Sequence, residues 1–291
     1  RREVKVMNRR DGVRVKDLDS MHVLMPYIKP NRCDSDVFIN QKMDVTELVK
    51  YYERMKKKYS DLTYFHLFLT LIAKTVYNKP LLNRFVVNKK FYDRNEVSIA
   101  FTAKVNYEDK SKEILSVIKV EENDNLLSIK DKTVKAVDNV RKSKESGTNN
   151  SVNVISKLPS FILSPVIGII KWLDRHDLLP KSLIDDNLYY STCIVSNLGS
   201  IHSGAIYHNL TDFGTSSILA TIGEIKLEKV LIDGKMESKY LCEFGINIDE
   251  RIADGVYFVK AVRLMQDILN EPKLLEESVN EKIKETTKFK Y

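Results

Sequence analysis

The chain has 291 residues, 43% of them hydrophobic and 30% charged, with 47 Lys and Arg against 40 Asp and Glu for a net charge of +7. That hydrophobic share excludes a disordered chain, and ten Gly with seven Pro exclude a collagen-like or low-complexity one. Three cysteines, Cys33, Cys193 and Cys242, stand too far apart for a disulfide framework or a zinc cluster, which fits a soluble protein of the reducing cytoplasm with no metal.

Basic residues alternate with acidic ones through 51–58 and 130–144, the pattern of solvated helix faces. Aromatic platforms interleaved with Lys or Arg are missing, so no nucleic-acid partner is expected. The first twenty residues are polar, lack the apolar run of a secretory signal, and read as an arm or a short first helix. The longest uncharged stretch, 158–170, falls short of the roughly 20 residues of a spanning helix but leaves peripheral membrane contact open.

Asp44-Val45-Thr46-Glu47 opens a helix, with Asp44 able to cap it and Glu47 in the first turn, where the helix dipole favours an acid. A second helix starts at Asp61-Leu62-Thr63, carries a wide apolar stripe including Phe65, Phe68, Ile72 and Val76, and stops before Pro80. Strands follow at 84–87 and 97–105, the latter setting Ile99, Phe101 and Ala103 on one face. Residues 123–144 read as a long amphipathic helix and 146–150 as a loop. An apolar helical segment at 155–184 is broken at Pro159, Pro165 and Pro180. Strands at 189–196, 217–222, 229–232 and 240–248 precede a periodic helix at 256–269. This order lacks the regular strand–helix alternation of a doubly wound sheet, and no dinucleotide fingerprint, phosphate loop or His-Glu-x-x-His is present.

The closing strand runs into Asp249-Glu250-Arg251-Ile252-Ala253-Asp254-Gly255 and directly on into the last helix. Upstream stand Val195-Ser196-Asn197-Leu198-Gly199 and Ser217-Ile218-Leu219-Ala220-Thr221-Ile222-Gly223, and far upstream the strand-to-helix entry Lys42-Met43-Asp44-Val45. In these motifs and their order the chain resembles the catalytic domain of the 2-oxoacid dehydrogenase dihydrolipoyl acyltransferases and of chloramphenicol acetyltransferase. The resemblance covers most of 20–270 and leaves out an insertion around 150–185. It implies an α/β fold of two layers, a mixed sheet with helices packed on one face, in a single domain over 1–291 with an N-terminal arm at 1–20. It also implies a homotrimer with active sites between neighbouring subunits, and coenzyme A or acyl-coenzyme A as substrate beside a small-molecule acceptor.

In that superfamily the histidine of His-x-x-x-Asp-Gly is the general base on a thiol, matched to the task because imidazole titrates near ~6.5. Here Glu250 holds the frame, and a carboxylate at ~4.3 is a poor base for a thiol at ~8.5 unless burial raises it. Three readings stay open for Glu250: a base for a changed substrate, a binding residue for a cation, or the remnant of a lost activity. The resemblance implies that Asp254 pairs with an early arginine, for which Arg32 is the candidate; capping of the last helix is the plainer role. It implies an oxyanion-stabilising hydroxyl near the Ser-Asn-Leu-Gly motif, for which Ser200 and Ser203 are the candidates. His202 and His208 lie closest to supplying a replacement imidazole, whereas His22 and His66 read as structural and His176 as surface. The chain is thus expected to be acyltransferase-like with altered or lost transfer; the alternative is a non-enzymatic oligomeric scaffold on the same fold.

Overall fold

The computed structural model describes residues 8–104, 113–143, 157–185 and 187–284. Its strands are β1 (Gly12–Arg14), β2 (Asp36–Asp44), β3 (Arg84–Val87), β4 (Lys90–Arg94), β5 (Val97–Lys104), β6 (Glu113–Val120), β7 (Cys193–Asn197), β8 (Ile218–Ile222), β9 (Lys226–Ile232) and β10 (Lys235–Asp249). The main sheet runs β2-β10-β8-β7-β5-β6, with β9 on the first half of β10. Strands β5, β7 and β8 are parallel and the other pairs antiparallel, so the sheet is mixed, as expected. A small sheet, β1-β4-β3, stands beside it. The β1 strand falls within the expected arm, whose first seven residues, like the loop at 146–150, lie outside the described residues.

Four helices cover one face of the main sheet: α2 (Thr46–Lys58), α3 (Tyr64–Asn78), α4 (Leu126–Ser143) and a C-terminal helix, Gly255–Asn270. Strand alternation explains the layering. Along β10, Cys242, Phe244, Ile246 and Ile248 are buried in this core with Leu67, Leu71, Leu264 and Ile268. Gly245, Asn247 and Asp249 point to the opposite face. There residues 203–214 cross the sheet as an extended strap. Thr221 Oγ1 donates to the Ile206 carbonyl at 2.5 Å, Asn247 Oδ1 accepts from the His208 N–H at 3.3 Å, and Asp36 accepts from the Leu210 N–H at 2.9 Å. A Cβ on Gly245 would sit 2.5 Å from the Ile206 carbonyl oxygen, so the strap lies this close only because that residue is glycine.

Strands β4 and β6 fall outside the expected elements, the strand expected at 189–196 opens as a 3-10 turn at Leu188–Tyr190 before β7, and two helices also differ from expectation. A helix α1 (Ser20–Ile28) follows Asp19, whose carboxylate accepts from the N–H groups of Met21 and His22. Its apolar residues Met21, Leu24, Tyr27 and Ile28 face solvent, so its sequence carries no core-facing period. In the insertion, α5 (Ser160–Arg175) continues through Pro165 instead of breaking there. Pro165 sits in the second turn, where its missing N–H costs one bond to Phe161, and the rest of the helix is held by packing. Ile170 and Leu173 pack on a satellite core of Leu179, Ile184 and Tyr190, which includes α6 (Lys181–Ile184). Arg9 clamps the helix end, donating to the Asp174 carbonyl at 2.7 Å and its carboxylate at 2.9 Å. Phe161, Ile169 and Trp172 remain exposed, and no helix among the described residues is long and apolar enough to cross a membrane.

The start of α3 explains His66. Thr63 is the N-cap, its N–H donates to His66 Nδ1 at 3.2 Å, and its side chain caps the His66 backbone in return. The ring is buried, and burial together with the nearby Lys130 ammonium lowers its pKa from 6.5 to about 4. The unfolded chain therefore binds a proton that the folded chain refuses between those values. Stability should fall as pH drops from 6.5 towards 4, by up to about 3 kcal/mol from this group. Glutamine also serves at this capping position. Urea unfolding of His66→Gln should show a flatter pH dependence over that interval, with stability at pH 7.5 little changed; an unaltered pH slope excludes His66 as its source.

Candidate active site

Strand β10 ends on a buried ionic cluster. The Asp249 carboxylate has no solvent exposure and accepts two bonds from the Arg251 guanidinium, at 2.8 and 2.7 Å. Arg32 Nε lies 3.7 Å from the same carboxylate. The remaining guanidinium nitrogens tie in the surroundings: Arg251 Nη1 donates to the Lys29 and Pro30 carbonyls, both at 3.1 Å, and Arg32 Nη1 to the Thr211 carbonyl at 2.6 Å. Glu250 begins a single 3-10 turn and pairs with Lys29 Nζ, the two side chains being 27% and 40% exposed. Asp254 is exposed and caps the last helix, α7 (Gly255–Asn270), by accepting from the Tyr257 N–H at 2.7 Å.

The expected Arg32–Asp254 pair is therefore corrected: Arg32 turns to Asp249. The antiparallel register that sets Asp249 opposite Asp36 brings the end of β10 beside the segment just before β2, where Arg32 lies. Asp254 comes five residues later and is committed to the helix N-terminus.

The Ser-Asn-Leu-Gly motif stands at the other end of the sheet. After β7 the chain turns through Gly199–Ile201, and a Cβ on Gly199 would lie 2.6 Å from the Gly223 carbonyl oxygen, which is why the two glycine-bearing motifs can abut. Together with the start of α3 and the middle of α4 this turn lines an open cleft of about 1420 Å³. Its walls include the Tyr52–Tyr64 pair (centroids 3.8 Å apart), Phe101, Val137 and Ile225. Ser200 lines it with its hydroxyl donating to the Asn197 carbonyl at 2.9 Å; the Ser203 hydroxyl turns to the Gly204 carbonyl at 3.2 Å. Ser196, not singled out from sequence, lines the same cleft half-buried. It belongs to the quoted motif, and strand alternation beside buried Val195 was the available signal.

His202 adopts a left-handed backbone (φ 56°), is 85% exposed, and places Nδ1 2.6 Å from the Glu224 carboxylate. The hydrogen bond to His202 holds the Glu224 carboxyl below its ordinary range. His208 lies on the strap, and His176 Nδ1 meets the Trp172 carbonyl. Burial pushes the Cys193 and Cys242 thiols up to about 12, so neither is a nucleophile at neutral pH.

These candidates do not converge within one chain. Along β8, Ile218 is opposite Ile248 and Ile222 is level with Asn197, a span of roughly 13 Å at ~3.3 Å per residue. Glu250 lies beyond one end of that span; Ser200 and His202 lie beyond the other, with Ser196 one residue inside it.

The cluster makes a quantitative prediction. Asp249→Ala leaves two buried guanidinia without their carboxylate and should cost about 3–5 kcal/mol. Asp254→Ala removes only a cap and should cost ~1 kcal/mol. Equal losses in chemical denaturation would refute this ranking.

No protein-family model and no curated protein sequence matches the chain. Solved structures do. The probable dihydrolipoamide acetyltransferase of Listeria monocytogenes 4b F2365 superposes with a TM-score of 0.55 at 17% identity, over 89% of this chain and 95% of that one. The dihydrolipoamide acetyltransferase of Azotobacter vinelandii, studied for the role of a serine, a histidine and an asparagine in its catalytic mechanism, gives 0.53 at 15% identity over 90% and 93%. A chloramphenicol acetyltransferase gives 0.54 at 8% identity over 89% and 99%. The chain has the fold of the dihydrolipoamide acetyltransferase core and of chloramphenicol acetyltransferase.

Proposed function

We propose that this protein is an acyltransferase-like homotrimer in which a cleft still suited to an acyl carrier has lost the superfamily's thiol-activating base. The observation that carries the reading is Glu250. The position that resembles the family histidine holds a partly exposed carboxylate neutralised by the Lys29 ammonium. A carboxylate held by an ammonium group is engaged as an ion-pair partner and is not presented free to a substrate thiol. The separation of Glu250 from the Ser196–His202 turn supports an oligomer, because a site that contains both needs two copies of the chain, and the resemblance makes that oligomer a trimer. Coenzyme A or an acyl-coenzyme A is the ligand proposed for the cleft, with Ser196 and Ser200 among the hydroxyls that line it.

A second reading rests on His202 and Glu224. A carboxylate on Nδ1 orients an imidazole and leaves Nε2 free, the arrangement that makes histidine a general base. His202 lines the cleft, so transfer could persist with the base supplied from the turn instead of the β10 end.

Light scattering should give three times 33.7 kDa, and a monomer removes the shared site. Coenzyme A at 100 times its Kd should stabilise the fold by about 2.7 kcal/mol in a thermal-shift titration. No shift with coenzyme A or acetyl-coenzyme A leaves the scaffold reading. Glu250→Gln should change no transfer activity, and Glu250→His should create coenzyme A-dependent transfer to a generic thiol. If the protein as it stands transfers acetyl groups and His202→Gln abolishes that, the second reading replaces the first.

A further inference from the structure

Arg32 and Arg251 also form the floor of a second hollow, about 270 Å³, between the end of β10, the β3–β4 turn and the insertion helix α5. Five cationic side chains line it, Arg32, Lys89, Lys171, Arg175 and Arg251, against two carboxylates, Asp174 and Asp212, an excess of three positive charges. Both carboxylates are already engaged. Asp174 pairs with Arg9 at 2.9 Å, and Asp212 accepts the backbone N–H groups of Arg32 and Cys33 at 2.7 and 3.3 Å.

The floor is short of negative charge. Arg32 and Arg251 are 4% and 2% exposed and share one carboxylate, Asp249, which Arg251 holds through both oxygens. Arg32 Nε, 3.7 Å from Asp249, has no hydrogen-bond partner among the described residues. That donor is buried on a cation whose nearest carboxylate is already held by Arg251 through both oxygens, and an anion in the hollow adds negative charge beside it. The rim adds mobile charge: Lys171 and Arg175 stand one helical turn apart on α5, exposed and without a carboxylate partner among the described residues. Lys89 sits in a left-handed turn (φ 59°) with its ammonium 4.4 Å over the Tyr27 ring. Pro30, Val87 and Phe213 supply an apolar wall.

We infer that this hollow, formed by the insertion helix over Arg32 and Arg251, binds a small soluble phosphate monoester. A phosphomonoester carries up to two charges and three acceptor oxygens, which suits the Arg175 guanidinium and the Lys171 and Lys89 ammonium groups at the rim, above a positively charged floor. The apolar wall accommodates the organic part of the ester. The volume is just under the roughly 300–1,000 Å³ of sites for drug-sized ligands, which sets the size of the ligand. Lys171 and Arg175 come from the segment outside the acyltransferase resemblance, so the inference goes beyond the proposed function and holds whether or not acyl transfer survives.

Calorimetric titration of the full chain with phenyl phosphate, inorganic phosphate and benzoate tests it. Phenyl phosphate should bind once per chain, more tightly than inorganic phosphate and far more tightly than benzoate. Arg32 substitutions risk the fold, so the informative variant is Lys171→Ala with Arg175→Ala, both exposed. It should weaken phenyl phosphate at least about tenfold while leaving the unfolding midpoint of the free protein unchanged. No binding of phenyl phosphate at millimolar concentration overturns the inference, as does equal binding by the double variant. Sedimentation with phosphatidic acid vesicles in the absence of phenyl phosphate binding overturns the soluble ligand in favour of a lipid headgroup.

Discussion

The Asp249 carboxylate organises one end of the main sheet. It is fully buried at the last residue of β10, and its charge is tolerable there only because two guanidinia surround it. Those guanidinia then spend their remaining donors on three separate pieces of backbone: the exit of α1 at Lys29 and Pro30, the strap at Thr211, and β3 at Val86. Elements that share no sheet register are thereby locked around one point. Glu250 follows immediately, so its position and its pairing with Lys29 are consequences of how Arg251 holds the end of α1.

The strap gives the opposite sheet face its polarity. Thr221 and Asn247 are fully buried polar residues in central strands, an arrangement that is expensive unless each finds a partner. The 203–214 segment supplies backbone groups to both, and its far end brings Asp212 to Arg32. One stretch of irregular chain thus connects the Ser196–His202 turn, at one end of β8, with the Asp249 cluster at the other. Within one chain the two groups of candidate residues thus stand at opposite ends of the sheet, joined by this single segment.

Much of this was legible in the residues. The α3 stripe, the β5 alternation and the β10-to-α7 junction each satisfy one local rule with core-facing side chains, and they appear as read. Elements whose apolar residues face away from the core, α1 above all, left no such trace. Pro165 misled because a helix packed on Leu179 and Tyr190 tolerates the loss of one backbone bond. Arg32 was recognised as a charged partner for the Asp249–Gly255 turn, but the carboxylate that takes it is five residues earlier than expected.

The sequence by itself determined the periodicities and the motif glycines whose absent Cβ lets strands and strap abut, because each is a property of neighbouring residues. The tertiary structure alone decided which ions meet. Lys29 and Glu250, Arg32 and Asp249, His202 and Glu224 are brought together by strand register and by the crossing strap, across separations as long as 221 residues. Electrostatic partnership falls off with distance through space, and no local pattern along the chain encodes that distance.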